Sequence, residues 1–240
     1  MGTLFESVKD NVFFVLQFLA INIAIFVIAA LIQQWERRRA GTTGKIMTTR
    51  MIAVTGIFSA ISAVLMLFEL PVIFAPGFYK FDFSELPALI GAFAFGPVAG
   101  VLIEFIKIIL KLMIKGTSTA FVGELANFIV GCSLVLPASV IYFSGKSKRS
   151  AIAGCVTGTI IMTVVGSAFN AIYLLPKFAQ MYGMPLDAIV GMGTAVNSHI
   201  TAVSTLVLYA VVPHNLLKGG VVSLITIFVY KKISRILKAS

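Results

Sequence analysis

Pro213-His214-Asn215-Leu216-Leu217-Lys218-Gly219-Gly220 is the stretch on which the reading of the whole chain turns. Proline followed by asparagine marks a helix start. Asn215 and Lys218 stand three residues apart and share one face of a first turn. Val221 to Tyr230 then carries no charge, and Lys231, Lys232, Arg235 and Lys238 return as a group. This is the pattern of a membrane helix with a polar pair buried near one end. A lysine well inside a span costs about 2.5–3.5 kcal/mol on insertion scales. An internal partner or a ligand has to offset that cost.

Composition extends the same reading to the rest of the 240 residues. The chain is 59% hydrophobic and 12% charged, with a mean hydropathy of +1.02. A water-soluble domain of this size cannot hide so much apolar surface, so the class is an all-α polytopic membrane protein. Helices rather than a barrel follow because the apolar runs are continuous, not alternating. The net charge of +10 does not point to nucleic acid. It is gathered into three clusters between apolar runs: Arg37, Arg38, Arg39, Lys45 and Arg50; Lys146, Lys148 and Arg149; and the tail. Such clusters anchor cytoplasmic loops and meet anionic lipid.

Taken in order, Met1 to Asn11 is a poor signal-peptide start, with Glu6 and Asp10 beside one lysine, so the first apolar run is expected to be retained. That run, Val12 to Ile32, is long enough to span; Trp35 and the arginines after it place its end in the cytoplasm and its start outside. Ala40 to Thr49 reads as a polar linker. The predicted division is therefore 1–50, a lone helix with a basic linker, and 51–240, the main membrane domain. Met51 to Phe68 is the next span, with small residues that admit a second helix from this subunit or from a partner. Glu69 to Glu85 is an outside loop, with Ser84 or Asp82 as cap for the following helix. Leu86–Phe95 and Val101–Ile114 are short helices about a Gly96–Gly100 turn, and Glu104 pairs with Lys107 across one turn. Phe121–Phe143 goes in and Ala151–Leu175 goes out. Phe178–Asn197 is an outside connection, and His199–Val212 a separate, partly embedded helix that breaks at Pro213. This leaves the C-terminus cytoplasmic.

With that topology Glu124, Asn127, Asn170, Asn215 and Lys218 all fall in the outer halves of their helices. Amide, ammonium and carboxylate groups at one depth match a ligand with carbonyls, ring N–H groups and hydroxyls. Phe81, Phe83, Phe128 and Phe169 supply rings for stacking. Each asparagine alone reads equally well as a helix–helix hydrogen bond; the group together favours a ligand. Catalysis has little support. Gly145-Lys146-Ser147 lacks the first glycine of a phosphate loop, His199 and His214 have no metal-spaced partner, and Cys132 and Cys155 form no framework.

The stretches Phe81-Asp82-Phe83-Ser84-Glu85-Leu86-Pro87-Ala88-Leu89, Phe95-Gly96-Pro97-Val98-Ala99-Gly100, Gly123-Glu124-Leu125-Ala126-Asn127-Phe128, Asn170 with Leu174-Leu175-Pro176, and Asn215-Leu216-Leu217-Lys218-Gly219 occur in this order. From Met51 to the C-terminus they resemble the riboflavin-specific substrate-binding subunits, or S components, of energy-coupling-factor (ECF) vitamin transporters. The resemblance implies a six-helix bundle, here with one extra N-terminal transmembrane helix, in a bacterial cell membrane. It implies riboflavin as transported ligand with no cofactor. The partners it implies are a transmembrane coupling subunit, two ATP-binding subunits and the lipid bilayer. Carried over, Asn170, Asn215 and Lys218 contact the flavin and Phe81 flanks its rings. Glu124, Asn127, Gly123 and Lys80 are further ligand-side positions. Gly56, Ala60 and Ala63 face the coupling subunit. The alternatives are another vitamin, a flavin nucleotide, or a membrane-embedded enzyme.

Overall fold

Backbone groups in lipid must be satisfied within their own segment, and the apolar runs of this chain accordingly fold into long helices. The computed structural model describes residues 12–42 and 46–238, with side chains as far as Ile233. The expectations for Met1–Asn11, for Gly44 and Lys45, and for the side chains of Arg235 and Lys238 lie outside the described residues.

Helix α1 spans Val12–Arg39 and α2 spans Thr49–Leu67. Two short strands, β1 (Leu70–Pro71) and β2 (Lys80–Phe81), pair antiparallel with Leu70 opposite Phe81. Then come α3 (Glu85–Phe95), α4 (Pro97–Lys115) and α5 (Val122–Gly145). Helix α6 (Lys148–Tyr182) contains a wider, π-type turn at Asn170–Leu174. After α7 (Leu186–Thr194), α8 (203–238) runs to the end of the described chain, again with a π-type stretch at Val207–Val211. Among the described residues α1, α2, α5, α6 and α8 are long and apolar enough to cross a membrane. Helices α3 and α4 are held inside the bundle, so α3 is buried along almost its whole length.

Small residues set the closest approach. A Cβ at Gly154 or Gly158 of α6 would come within 2.5 or 2.6 Å of the Ala138 or Leu134 carbonyl of α5. These glycines, four apart, let the two backbones meet directly. At this end of the bundle Phe93 stacks on Tyr142 at 4.4 Å and Tyr230 meets both rings edge-on.

The long final helix corrects an expectation. Pro213 does not break the chain into two helices, because the π-type turn just before it widens the helix where the ring has no N–H to give. The 178–197 connection is likewise mostly helical: α6 continues to Tyr182, where Gly183 ends it at φ +62°, and α7 comes next. Ser84 sits at the start of α3 without capping it. Its hydroxyl instead accepts from Lys107 at 2.9 Å, while its N–H donates to Asp82 Oδ1 at 2.8 Å. Helix α4 begins at Pro97, earlier than expected, since proline suits a first turn.

Helix α1 is fastened to the bundle rather than loosely appended. It lies on α4 and α5. Gln33 reaches the α3–α4 turn, where its Oε1 accepts from Val98 N–H at 2.9 Å and its Nε2 donates to the Phe95 carbonyl at 3.3 Å. Gly96 turns there at φ +103°, and any Cβ on it would strike Gln33 at 2.7 Å. Gln33→Leu strands both backbone groups. It should destabilise the fold by about 1–3 kcal/mol, read as a lower unfolding midpoint in detergent; an unmoved midpoint would show that α1 does not hold this turn.

Candidate functional site

One cavity of about 480 Å³ opens at the end of the bundle where α2 and α4 finish, away from the basic clusters. Small-ligand sites occupy roughly 300–1,000 Å³, so the size suits a single organic molecule. Its walls come from α2, the β-hairpin, α4, α5, α6 and α8. Gly77, Lys80, Ser118 and Tyr182 are exposed at its mouth, and Asp82, Asn170, His214, Asn215 and Lys218 are buried at its floor.

The floor is set by charge. Lys218 is 5% exposed, and its ammonium lies 3.0 Å from Asp82 and 2.9 Å from Glu85. Of its three donors, two are engaged and one is left for the cavity. Burial pushes the Asp82 carboxyl upward, but Lys218, Lys107 and the hydrogen bonds from Ser84 outweigh it and bring it down to about 2. Asp82 therefore stays ionised as the partner of the lysine. Behind the floor, the fully buried Lys107 lies 2.7 Å from Glu104 and 3.3 Å from Glu85. Gly131 makes room for Glu104: a Cβ there would be 2.2 Å from its carboxylate. The Glu104–Lys107 pair expected across one turn is formed, and Glu85 joins it to Lys218.

Amides line the next level. The Tyr79 hydroxyl donates to Asn170 Oδ1 at 2.8 Å, and Asn170 Nδ2 donates to the Gly166 carbonyl at 2.8 Å. Burial pushes the Tyr79 phenol up, so it keeps its proton as a donor. Asn215 Nδ2, Asn127 Oδ1 and His214 Nδ1 are buried at the cavity without a protein partner. A buried polar atom left unpaired costs about 1–3 kcal/mol, and all three of these side chains belong to the cavity wall. At the side wall Glu124 is saturated by Lys111 at 2.7 Å, Thr117 at 3.1 Å and Thr119 at 3.0 Å.

Comparison with known proteins matches residues 50–230 to the family model "ECF transporter, substrate-specific component". The chain belongs to this family. It is similar to the riboflavin transporter RibU of Staphylococcus aureus (strain TCH60), 34% identical over 189 residues covering 79% of this chain and 92% of that protein. It is also similar to the riboflavin transporter FmnP of Bacillus subtilis (strain 168), 30% identical over 78% of this chain and 93% of that one. A solved S component of a bacterial ECF transporter superposes with a TM-score of 0.62 at 32% identity, covering 80% of this chain and 99% of that one. The chain is thus a multi-pass membrane subunit of a transporter, not an enzyme, and it works with the membrane and ATPase subunits of an ECF module.

In this S component the cavity gathers Asn170, Asn215, Lys218, Asn127, Glu124, Gly123 and Lys80. Phe81 is a correction: it is not in the cavity wall, because β2 turns its ring into the protein against Phe83, 5.0 Å away. Phe128 is fully buried among core residues, and Phe169 leans on Tyr173 at 4.9 Å. The aromatic wall is instead Phe78, Tyr79, Phe178 and Tyr182. His214, which the sequence marks only as a histidine without a metal-spaced partner, also lines the cavity. A second correction concerns α2. Gly56 and Ala60 are exposed, but Ala63 is 2% exposed, lying at the margin of that face toward Ser59, Ser62 and Met66.

Lys107→Met removes the buried cation shared by Glu104 and Glu85 and should destabilise this S component by about 3–5 kcal/mol. Glu104→Gln keeps a neutral acceptor for Lys107 and should cost distinctly less. Thermal unfolding in detergent measures both, and a Lys107→Met loss no larger than that of Glu104→Gln would show that the cation does not hold the cluster together.

Proposed function

We propose that this S component captures riboflavin from the outer side of a bacterial cell membrane. Delivery inward is powered by a coupling subunit and two ATP-binding subunits. The observation that carries the ligand assignment is the set of unpartnered groups at Asn127, His214 and Asn215, joined by the last donor of Lys218, around one cavity. It occurs in a chain similar over most of its length to proteins named riboflavin transporters. A flavin ring presents carbonyls, ring nitrogens and one N–H along its edge, which amides and an ammonium answer group by group. Its flat faces suit Phe78, Tyr79, Phe178 and Tyr182. The wall charges Glu69, Asp82 and Glu124 against Lys80, Lys111 and Lys218 cancel, as a neutral ligand requires.

Sidedness follows from the basic clusters. With Arg37–Arg39, Arg50, Lys146–Arg149 and Lys231–Lys232 in the cytoplasm, α1 starts outside, the C-terminus is cytoplasmic and the cavity faces out. Residues 51–240 would be the ligand-binding unit and 1–50 an addition to it. The open small-residue face of α2 at Gly56 and Ala60 supports coupling-subunit contact there.

Riboflavin fluorescence should be quenched on titration with the purified protein. Asn215→Ala should raise Kd by roughly tenfold, the loss of a single good hydrogen bond, without lowering the unfolding midpoint of the ligand-free protein, since Asn215 Nδ2 has no protein partner to lose. Lys218→Ala is a poorer probe, because it leaves Asp82 and Glu85 unpaired. Unquenched fluorescence with wild-type protein would sink the riboflavin reading.

A further inference from the structure

At the mouth of the cavity Glu69 and Lys80 stand in the wall, and Lys115, just behind the wall, reaches the same carboxylate. Glu69, just past α2, accepts through one oxygen from Lys80 of β2 at 2.7 Å and from Lys115, the last residue of α4, at 3.0 Å. Both lysine side chains are about half exposed, at 47% and 51%, and Glu69 is the more sheltered at 23%. Hydrogen bonds from both ammoniums outweigh burial and hold the Glu69 carboxyl below its usual range. The remaining cations near the cavity are committed elsewhere. Lys111 is bound to Glu124 and Lys218 to Asp82 and Glu85. Lys177 donates to Gln180 at 3.1 Å and is not in the wall.

We infer that Glu69 is a specificity-determining residue: by holding Lys80 and Lys115 it denies the mouth the cations that a phosphate group would need, so the site takes uncharged riboflavin and disfavours its 5′-phosphate. This rests on the reading of the cavity as a flavin site. The polar floor matches the ring edge, so the ribityl chain points to the mouth. A phosphate at the end of that chain carries roughly −1.5 to −2 charge at pH 7 and arrives beside the Glu69 carboxylate. To reach either lysine it must displace an ion pair already formed. The same carboxylate ties the end of α2, the hairpin and the end of α4 together, so the lysines are aimed inward at Glu69. The groups lie near water, so discrimination is graded by salt screening rather than absolute.

Glu69→Gln removes the charge and keeps the shape. Kd for riboflavin and for riboflavin 5′-phosphate is measured by flavin fluorescence quenching for both proteins, at low and high salt. The wild type should prefer riboflavin. In Glu69→Gln the ratio of the phosphate's Kd to that of riboflavin should fall roughly tenfold, about the worth of two exposed ion pairs, and the fall should shrink at high salt. Adding Lys80→Gln and Lys115→Gln to the Glu69→Gln protein should abolish the gain. A wild type that binds both ligands equally, a ratio unmoved by Glu69→Gln, or a gain that survives loss of both lysines overturns the role of Glu69 while riboflavin binding still stands. A wild type that binds neither flavin overturns this inference and the riboflavin reading together.

Discussion

A lysine ammonium held between two carboxylates organises the ligand end of this molecule. Lys218 and Asp82 are 136 residues apart in sequence and 3.0 Å apart in space. Through Glu85 the contact passes to Lys107 and Glu104, so α8, the segment after β2, α3 and α4 share one buried network. Removing one member of such a cluster strands a charge where water cannot reach it. The arrangement is therefore all or none, and it fixes the height of the cavity floor. It also explains how a lysine is kept inside a span: the partners are carboxylates of the protein.

The two helices that carry the asparagines share a second device. In α6 the π-type turn ends at Leu174, two residues before Pro176; in α8 it ends at Val211, two residues before Pro213. The two π-type turns touch each other. One residue added to a turn rotates the rest of the helix by about 100° and accommodates a proline without breaking the helix. Asn170 is the first residue of one such turn, and His214 and Asn215 lie just beyond the other. Apolar helices that would otherwise show lipid-like side chains to the cavity thus present polar ones at its wall.

The spans and their basic ends were legible because hydropathy and charge act residue by residue, without reference to the fold. Asn170, Asn215 and Lys218 stood out for the same reason, since a polar side chain in an apolar run is costly wherever it points. Direction is the property that could not be read. Pro213 signals the end of a regular helix, but not whether a π-type turn carries the helix through. Aromatic residues at a membrane surface are interchangeable in composition, so nothing in the sequence separates Phe81, which turns inward, from Phe78 and Tyr79, which face the cavity. The partner of Lys218 was hidden because Asp82 lies outside any span, where a carboxylate is ordinary until the loop folds back. A signal was available all the same: Asp82, Ser84 and Glu85 crowd together just before the wholly buried α3.

Helix α1 bears on how an added span is tolerated in a bundle that must also meet other subunits. Its polar contacts lie at its two ends. Gln17 accepts from the Tyr173 hydroxyl at 3.0 Å, within the π-type turn that carries Asn170, and Gln33 holds the α3–α4 turn. Between them Phe18 and Ala29 are buried against the side formed by α4 and α5. Asn22, also on the buried side, donates through its Nδ2 to the Phe18 carbonyl at 2.6 Å. The small-residue face of α2 at Gly56 and Ala60 stays open. The addition therefore occupies the flank of the bundle that carries neither the cavity mouth nor the face proposed for the coupling subunit. A span placed over α2 would have covered Gly56 and Ala60; placed on α4 and α5, it braces the α3–α4 turn and leaves the cavity mouth and the small-residue face of α2 uncovered.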